Sequence, residues 1–178
     1  MHYAAPDALA RARRIKLMIF DVDGVLTDGR LWYGPSGEEL KAFHGLDGHG
    51  IKMLAMSGVR AALLSGRSSP AVSARAAELG IEHVLQGIAD KRRAFEALLK
   101  RLGLSPAAAG AMGDDLVDLP VLVRCGFAAT VPGAPEEVRR RAHYVPTSPA
   151  GGGAAREVCE FLMRAQGSFE RMVREYLK

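Results

Sequence analysis

The sequence predicts a doubly wound α/β domain, a parallel sheet with helices on both faces. Short runs apolar at every position recur along the chain, as strands buried on both sides of a sheet require. Helix-length segments separate them, and several stop at a glycine able to take the left-handed conformation. With 178 residues, 48% hydrophobic and 25% charged, the chain is large enough to bury one substantial core.

The first strand is expected over 15–20, Ile-Lys-Leu-Met-Ile-Phe. Comparable runs at 59–64, 83–85, 108–112 and 127–131 supply the other strands. Between them, helical patterns cover 48–56, 70–79, 91–102, 116–123 and 136–141, with stops at Gly58, Gly80 and Gly103. This alternation gives the parallel sheet. Residues 29–43 break the rhythm. Two β-like pieces flank Gly34-Pro35-Ser36-Gly37, a strong turn signal, and predict a projecting β-hairpin. An isolated hairpin buries little, so Trp32 and Tyr33 are expected to pack on another copy of the chain. Gly151-Gly152-Gly153 reads as flexible punctuation before a helix over 154–166, and Ser168 as the N-cap of a short terminal helix. The whole chain, 1–178, is expected to form one domain with its tail at about 154–178.

Several classes are excluded. No run approaches the ~18–20 apolar residues of a membrane-spanning helix, and residues 1–14 lack the apolar stretch of a secretory signal. Cys125 and Cys159 sit in apolar contexts without metal spacing, which suits a reduced, cytoplasmic setting. The formal charge is +4, from 24 Lys and Arg against 20 Asp and Glu. That mild excess suits an anionic small molecule. The basic clusters at Arg11, Arg13, Arg14 and at Arg139, Arg140, Arg141 are short and carry few aromatics beside them, so no nucleic-acid partner is expected.

Ligands in such sheets bind beyond the carboxyl ends of the strands. There the sequence places Asp21-Val22-Asp23-Gly24-Val25-Leu26-Thr27, then Ser65-Gly66-Arg67, Lys91, and Gly113-Asp114-Asp115 with Asp118 three residues on. These groups suit phosphoryl transfer. Mg²⁺ wants hard oxygen ligands, which Asp21, Asp114 and the carbonyl of Asp23 offer. Asp21 is the candidate nucleophile, and Asp23 the acid and base serving the leaving alcohol and the attacking water. Ser65 and Lys91 would contact the phosphoryl oxygens. Thr27 is a candidate substrate contact or a cap of its turn, and Arg67 a candidate substrate contact through its bidentate fork or a partner in a surface salt bridge. Asp115 and Asp118 would orient the metal ligands from behind or cap the following helix. His44 and His49 have the wrong spacing for a metal face.

The four ordered segments resemble the motifs of the haloacid-dehalogenase-like phosphatases, over roughly residues 15–118. Only 44 positions separate Asp21 from Ser65, and the hairpin uses part of them, so no cap domain fits. The capless, Rossmann-like core, the hairpin and the glycine-rich tail more narrowly resemble the 3-deoxy-D-manno-octulosonate 8-phosphate (KDO 8-phosphate) phosphatase family. That resemblance implies a Mg²⁺-dependent enzyme of lipopolysaccharide biosynthesis, a cytoplasmic homotetramer with hairpin and tail at the subunit contacts. Two segments depart from the pattern. Leu46-Asp47-Gly48 stands where the family usually has Arg-Asp-Gly, and Gly151-Gly152-Gly153 lacks an extra residue usual between those glycines. Both lie where the family meets substrate, which leaves a nonulosonate 9-phosphate as an alternative. A phospho-accepting signalling module shares the acids, hydroxyl and lysine but lacks the second acid, Asp23. A sugar-phosphate mutase would need better shielding from water than a capless site gives.

Overall fold

The computed structural model describes residues 3–178. Met1 and His2, the start of the stretch read above as lacking a secretory signal, lie outside the described residues. The chain begins with β1 (Tyr3–Ala4), α1 (Ala8–Ala12) and β2 (Leu17–Phe20), followed by a hairpin of β3 (Trp32–Tyr33) and β4 (Glu39–Leu40). It continues as α2 (Gly45–Met56), β5 (Arg60–Leu64), α3 (Pro70–Leu79), β6 (His83–Leu85), α4 (Lys91–Leu102) and β7 (Ala109–Met112). Then come α5 (Leu119–Leu122), β8 (Phe127–Ala129), α6 (Glu136–Arg139), β9 (Tyr144–Val145), α7 (Ala154–Ala165) and α8 (Phe169–Glu175).

All four residues of β2 are at most 2% exposed, and burying side chains of this size stabilises by ~1.5–3 kcal/mol each. A strand that is apolar throughout belongs in the middle of a covered sheet, and β2 occupies that place. The strand order is β1-β9-β8-β7-β2-β5-β6, with every pair parallel except β1 with β9. Helix α7 packs against α2 and α1, and α4 against α5. The fold is the expected mostly parallel α/β sheet with a small antiparallel hairpin beside it.

Local chemistry sets the helix ends. Pro70 opens α3 after an extended Ser69, and Gly80 closes it at φ 70°. Asp90 caps α4 by accepting from the Arg93 amide at 2.9 Å. That cap offsets three successive basic residues at a helix start, where they oppose the dipole.

Three expectations need correction. The sheet is not wholly parallel: β1 runs antiparallel to β9 at one edge, and neither two-residue strand is long enough to show a period. The helix expected over 116–123 is split into a 3₁₀ turn, Leu116–Asp118, and α5. Pro120 explains the break, because a residue without an N–H fits only the first turn of a new helix. The glycine run 151–153 is not loose punctuation but is packed on the turn after β2. The tail packs its apolar face into this chain's own core, where Val158, Cys159, Leu162, Met163, Phe169 and Met172 are buried, and it exposes Tyr176 and Leu177.

Candidate active site

Phe20 of β2 lies opposite Leu63 of β5 and Met112 of β7. The register brings the carboxyl ends of three neighbouring strands to one level, and Asp21, Ser65 and Asp114 emerge together. The Asp21 amide donates to the Met112 carbonyl at 2.9 Å, and the Ser65 amide to that of Leu85 at 2.8 Å. From the start of α4, Lys91 Nζ donates to Asp21 Oδ1 at 2.8 Å and to Asp118 Oδ1 at 2.6 Å. The other oxygen of Asp118 accepts from the amides of Asp114 and Asp115, at 3.0 and 3.1 Å. Both oxygens of Asp118 are thus engaged, and it holds Lys91 and the Asp114 backbone in place. Gly24 (φ +88°) presses on Asp114, since a Cβ there would lie 2.1 Å from Asp114 Oδ2. Only glycine allows the two turns to approach this closely.

One carboxylate oxygen from each of Asp21, Asp114 and Asp118 falls within 4.8 Å of the others. Burial, and then the Asp118 charge, raise the Asp21 pKa to about 6. Burial, and then the charges of Asp21 and Asp118, raise Asp114 to about 7. Desolvation lowers the Lys91 pKa, but Asp21 and Asp118 outweigh it and hold the ammonium above its ordinary value. Three carboxylates therefore share one lysine and are short of positive charge. The oxygens of Asp21 and Asp114 left free by Lys91 and Asp118 are hard donors that fit Mg²⁺.

Asp21 and Asp114 line a cleft of about 380 Å³ with Asp23, Ser65, Gly66, Arg67, Lys91, Asp115 and Val117. A neighbouring groove of about 490 Å³, between β6 and α4, contains none of the acidic cluster. Thr27 does not reach the cleft. It is 3% exposed, and its hydroxyl accepts from the Gly24 and Gly29 amides at 3.4 and 3.3 Å, tying the turn together. Asp115 lies at the rim, and its carboxylate accepts from the Leu116 amide at 2.7 Å as cap of the 3₁₀ turn.

Two site residues escaped the sequence reading, Glu39 and Lys41. Lys41 has a side chain only 1% exposed and pairs with both Asp23 and Glu39. Arg67 Nη2 then donates to Glu39 Oε2 at 2.6 Å and to the Tyr33 hydroxyl at 3.3 Å. This chain of contacts fastens the hairpin over the cleft. The alternation Glu39-Leu40-Lys41 was the available signal, because residues two apart in a strand share a face. Asp23 Oδ2, by contrast, is buried with no hydrogen-bond partner among the described residues.

A family model described as haloacid dehalogenase-like hydrolase matches residues 32–126. The 3-deoxy-D-manno-octulosonate 8-phosphate phosphatase KdsC of Escherichia coli K12 is 43% identical over 164 residues, 92% of this chain and 87% of that protein. A crystal structure of a probable YrbI family phosphatase from Pseudomonas syringae pv. phaseolica superposes with a TM-score of 0.95 at 47% identity, covering 98% of this chain and 99% of that one. The KDO 8-phosphate phosphatase of Moraxella catarrhalis, solved with magnesium, phosphate and KDO, gives 0.94 at 41% identity over 96% of this chain and 98% of that one. Fold, acidic cluster and likeness agree: the chain belongs to the haloacid dehalogenase-like hydrolases, in the branch that contains the KDO 8-phosphate phosphatases.

Proposed function

We infer that the chain is a Mg²⁺-dependent phosphatase that hydrolyses KDO 8-phosphate to KDO and inorganic phosphate, as its relatives' names describe for them. The observation that carries this reading is the Lys91 ammonium shared by Asp21 and Asp118 with Asp114 alongside, at the carboxyl ends of neighbouring strands. Asp21 and Asp114, with the Asp23 carbonyl, would hold the metal. When bound, Mg²⁺ supplies positive charge against the phosphate and the carboxylates.

In our reading an Asp21 carboxylate oxygen forms a bond to phosphorus as the bond from phosphorus to the ester oxygen breaks, giving an aspartyl-phosphate. Asp23 gives its proton to the departing sugar oxygen, then takes one from the water that attacks the intermediate. That second step releases phosphate, restores the Asp21 carboxylate and returns Asp23 to its protonated form. Lys91 keeps Asp21 oriented and balances charge as negative oxygens gather. Ser65 donates to a phosphoryl oxygen. Arg67, 43% exposed at the cleft mouth, would meet the substrate's carboxylate.

We further propose a cytoplasmic homotetramer that uses the hairpin for contact. Leu31, Trp32, Tyr33 and Leu40 are 45–61% exposed, an apolar patch that suits burial by another copy. Among the described residues no helix is long and apolar enough to cross a membrane.

Leu46 and the uninterrupted glycine run favour one second reading, a nonulosonate 9-phosphate as substrate. Phosphate release with Mg²⁺ from both esters, from hexose phosphates and from nucleotides separates the two. Preference for the octulosonate ester supports the first. Preference for the nonulosonate ester replaces it, and a phosphorylated protein that lasts for minutes would make the chain a signalling module instead.

A further inference from the structure

Asp47 is a buried acid that pairs with no lysine or arginine side chain among the described residues, although the charge of His44 acts on it. It sits in the first turn of α2 and is 2% exposed. A carboxylate so placed is costly unless fully hydrogen-bonded. Its partners come from more than a hundred residues away. Asp47 Oδ2 accepts from the Gly153 amide at 3.2 Å, and Oδ1 from the Arg156 amide at 2.8 Å. These are the N-cap and third-residue amides of α7, which has no side-chain cap of its own. The Arg156 guanidinium turns away to Glu160, at 2.7 Å. A residue of one helix therefore caps the N-terminus of another, and the charge is held by amides and the helix dipole.

What precedes the capped end matters. The Gly151 amide donates to the Val25 carbonyl at 3.0 Å. With φ +56°, a Cβ on Gly151 would lie 2.5 Å from the Asp28 nitrogen and the Thr27 carbonyl carbon. The glycine run thus rests backbone to backbone on the turn after Asp23. That turn is tied internally through the Thr27 hydroxyl to Gly24, and Gly24 abuts Asp114.

We propose that Asp47 is a positioning residue: by capping α7 across the core, it presses the glycine run 151–153 onto the Asp23–Thr27 turn and so sets the spacing of Asp23 and Asp114. This deepens the phosphatase reading and rests on it. Asp47 does not line the cleft, so its effect is on alignment rather than on substrate contact. Misplacing catalytic groups by about 1 Å can cost on the order of a hundredfold in rate, whereas loss of a cap alone lowers stability.

The test uses the full chain with Mg²⁺ and three variants, Asp47→Asn, Asp47→Leu and Gly151→Ala. It compares kcat, KM and Tm, with hydrogen exchange at the amides of residues 24–29. Expected are a kcat loss of about tenfold or more in Asp47→Leu and Gly151→Ala, a smaller loss in Asp47→Asn, KM within about twofold and faster exchange at 24–29. Asn keeps one acceptor, so it should rescue in part. If Asp47→Leu does not fold, the other two variants carry the test. A lowered Tm with wild-type kcat and unchanged exchange would overturn the proposal, as would a rise in KM alone. Wild-type inactivity on KDO 8-phosphate would strike the substrate assignment instead, and the exchange measurement would still decide on Asp47.

Discussion

Lys41 and Asp23 form an ion pair that joins the projecting hairpin to the catalytic turn. Hydrogen bonding to Asp23 and Glu39 overcomes the desolvation of Lys41 and holds its pKa above the usual lysine value. Glu39 is held below the usual carboxylate range by Lys41 and then Arg67. Replacing Lys41 with Met leaves two carboxylates without their shared cation, a loss of about 1–3 kcal/mol concentrated in the hairpin. Limited proteolysis should then cut at the turn of residues 34–37 faster than in wild type, with kcat reduced. An unchanged cleavage rate would show that the pair does not anchor the hairpin.

Lys91→Met removes the ammonium that two buried acids, Asp21 and Asp118, share. Breaking a buried pair from one side costs about 3–5 kcal/mol, so the urea midpoint should fall at pH 7.5. The loss should shrink toward pH 5, where protonation of Asp21, whose pKa is raised to about 6, relieves the stranded charge. A loss that grows at lower pH would contradict the account.

The raised carboxyl pKa values of Asp21 and Asp114, about 6 and about 7, give a signed pH dependence. Their unfolded reference is 3.8. Between about pH 4 and 7 the metal-free folded protein therefore binds more protons than the unfolded chain, and this part of its stability is lost as pH rises through that window. His143 acts oppositely. Burial lowers its pKa from 6.5, so its contribution is lost as pH falls. It sits away from the cleft and cancels when the shift in Tm caused by Mg²⁺ is compared between two pH values. Metal binding needs ionised carboxylates, so Mg²⁺ should raise Tm more at pH 8 than at pH 6. An equal rise at both would remove these two acids as ligands.

Asp21→Asn should retain the far-ultraviolet circular dichroism of the wild type while turnover drops by about 10⁴-fold or more, the scale seen when a nucleophile is removed. Phosphate release at more than a tenth of the wild-type rate would exclude Asp21 as the attacking group.

Trp32→Ala combined with Tyr33→Ala should lower the solution mass measured by sedimentation if the hairpin joins copies. A mass equal to that of wild type would place the contact elsewhere.

Much of this architecture was legible because strong local signals agreed with it. The limits of α3 and α4 could be read from Pro70, Gly80 and Gly103, and the residues brought to the cleft follow strands with unmistakable apolar runs. Elsewhere the deciding interactions were long-range. Lys41 looks like an ordinary strand lysine until the hairpin folds over Asp23. Thr27 resembles a ligand until its hydroxyl is seen bonding Gly24 and Gly29. Three glycines in a row suggest freedom, yet their meaning depends on the backbone of Thr27 and Asp28 lying against them. Asp47 looked like part of a substrate motif, and only the packing of α2 on α7 reveals what its oxygens hold.

The two-residue strand Tyr3–Ala4 also has a consequence for how copies meet. Running antiparallel, it engages Tyr144 and Val145, whose free edge would otherwise offer backbone groups to any passing strand. At the opposite margin, β6 is only three residues long. The main sheet is thus a poor template for lateral growth, which leaves the exposed hairpin as the surface that the proposed tetramer would use. With both margins so short, the sheet itself is guarded against fibre-like stacking.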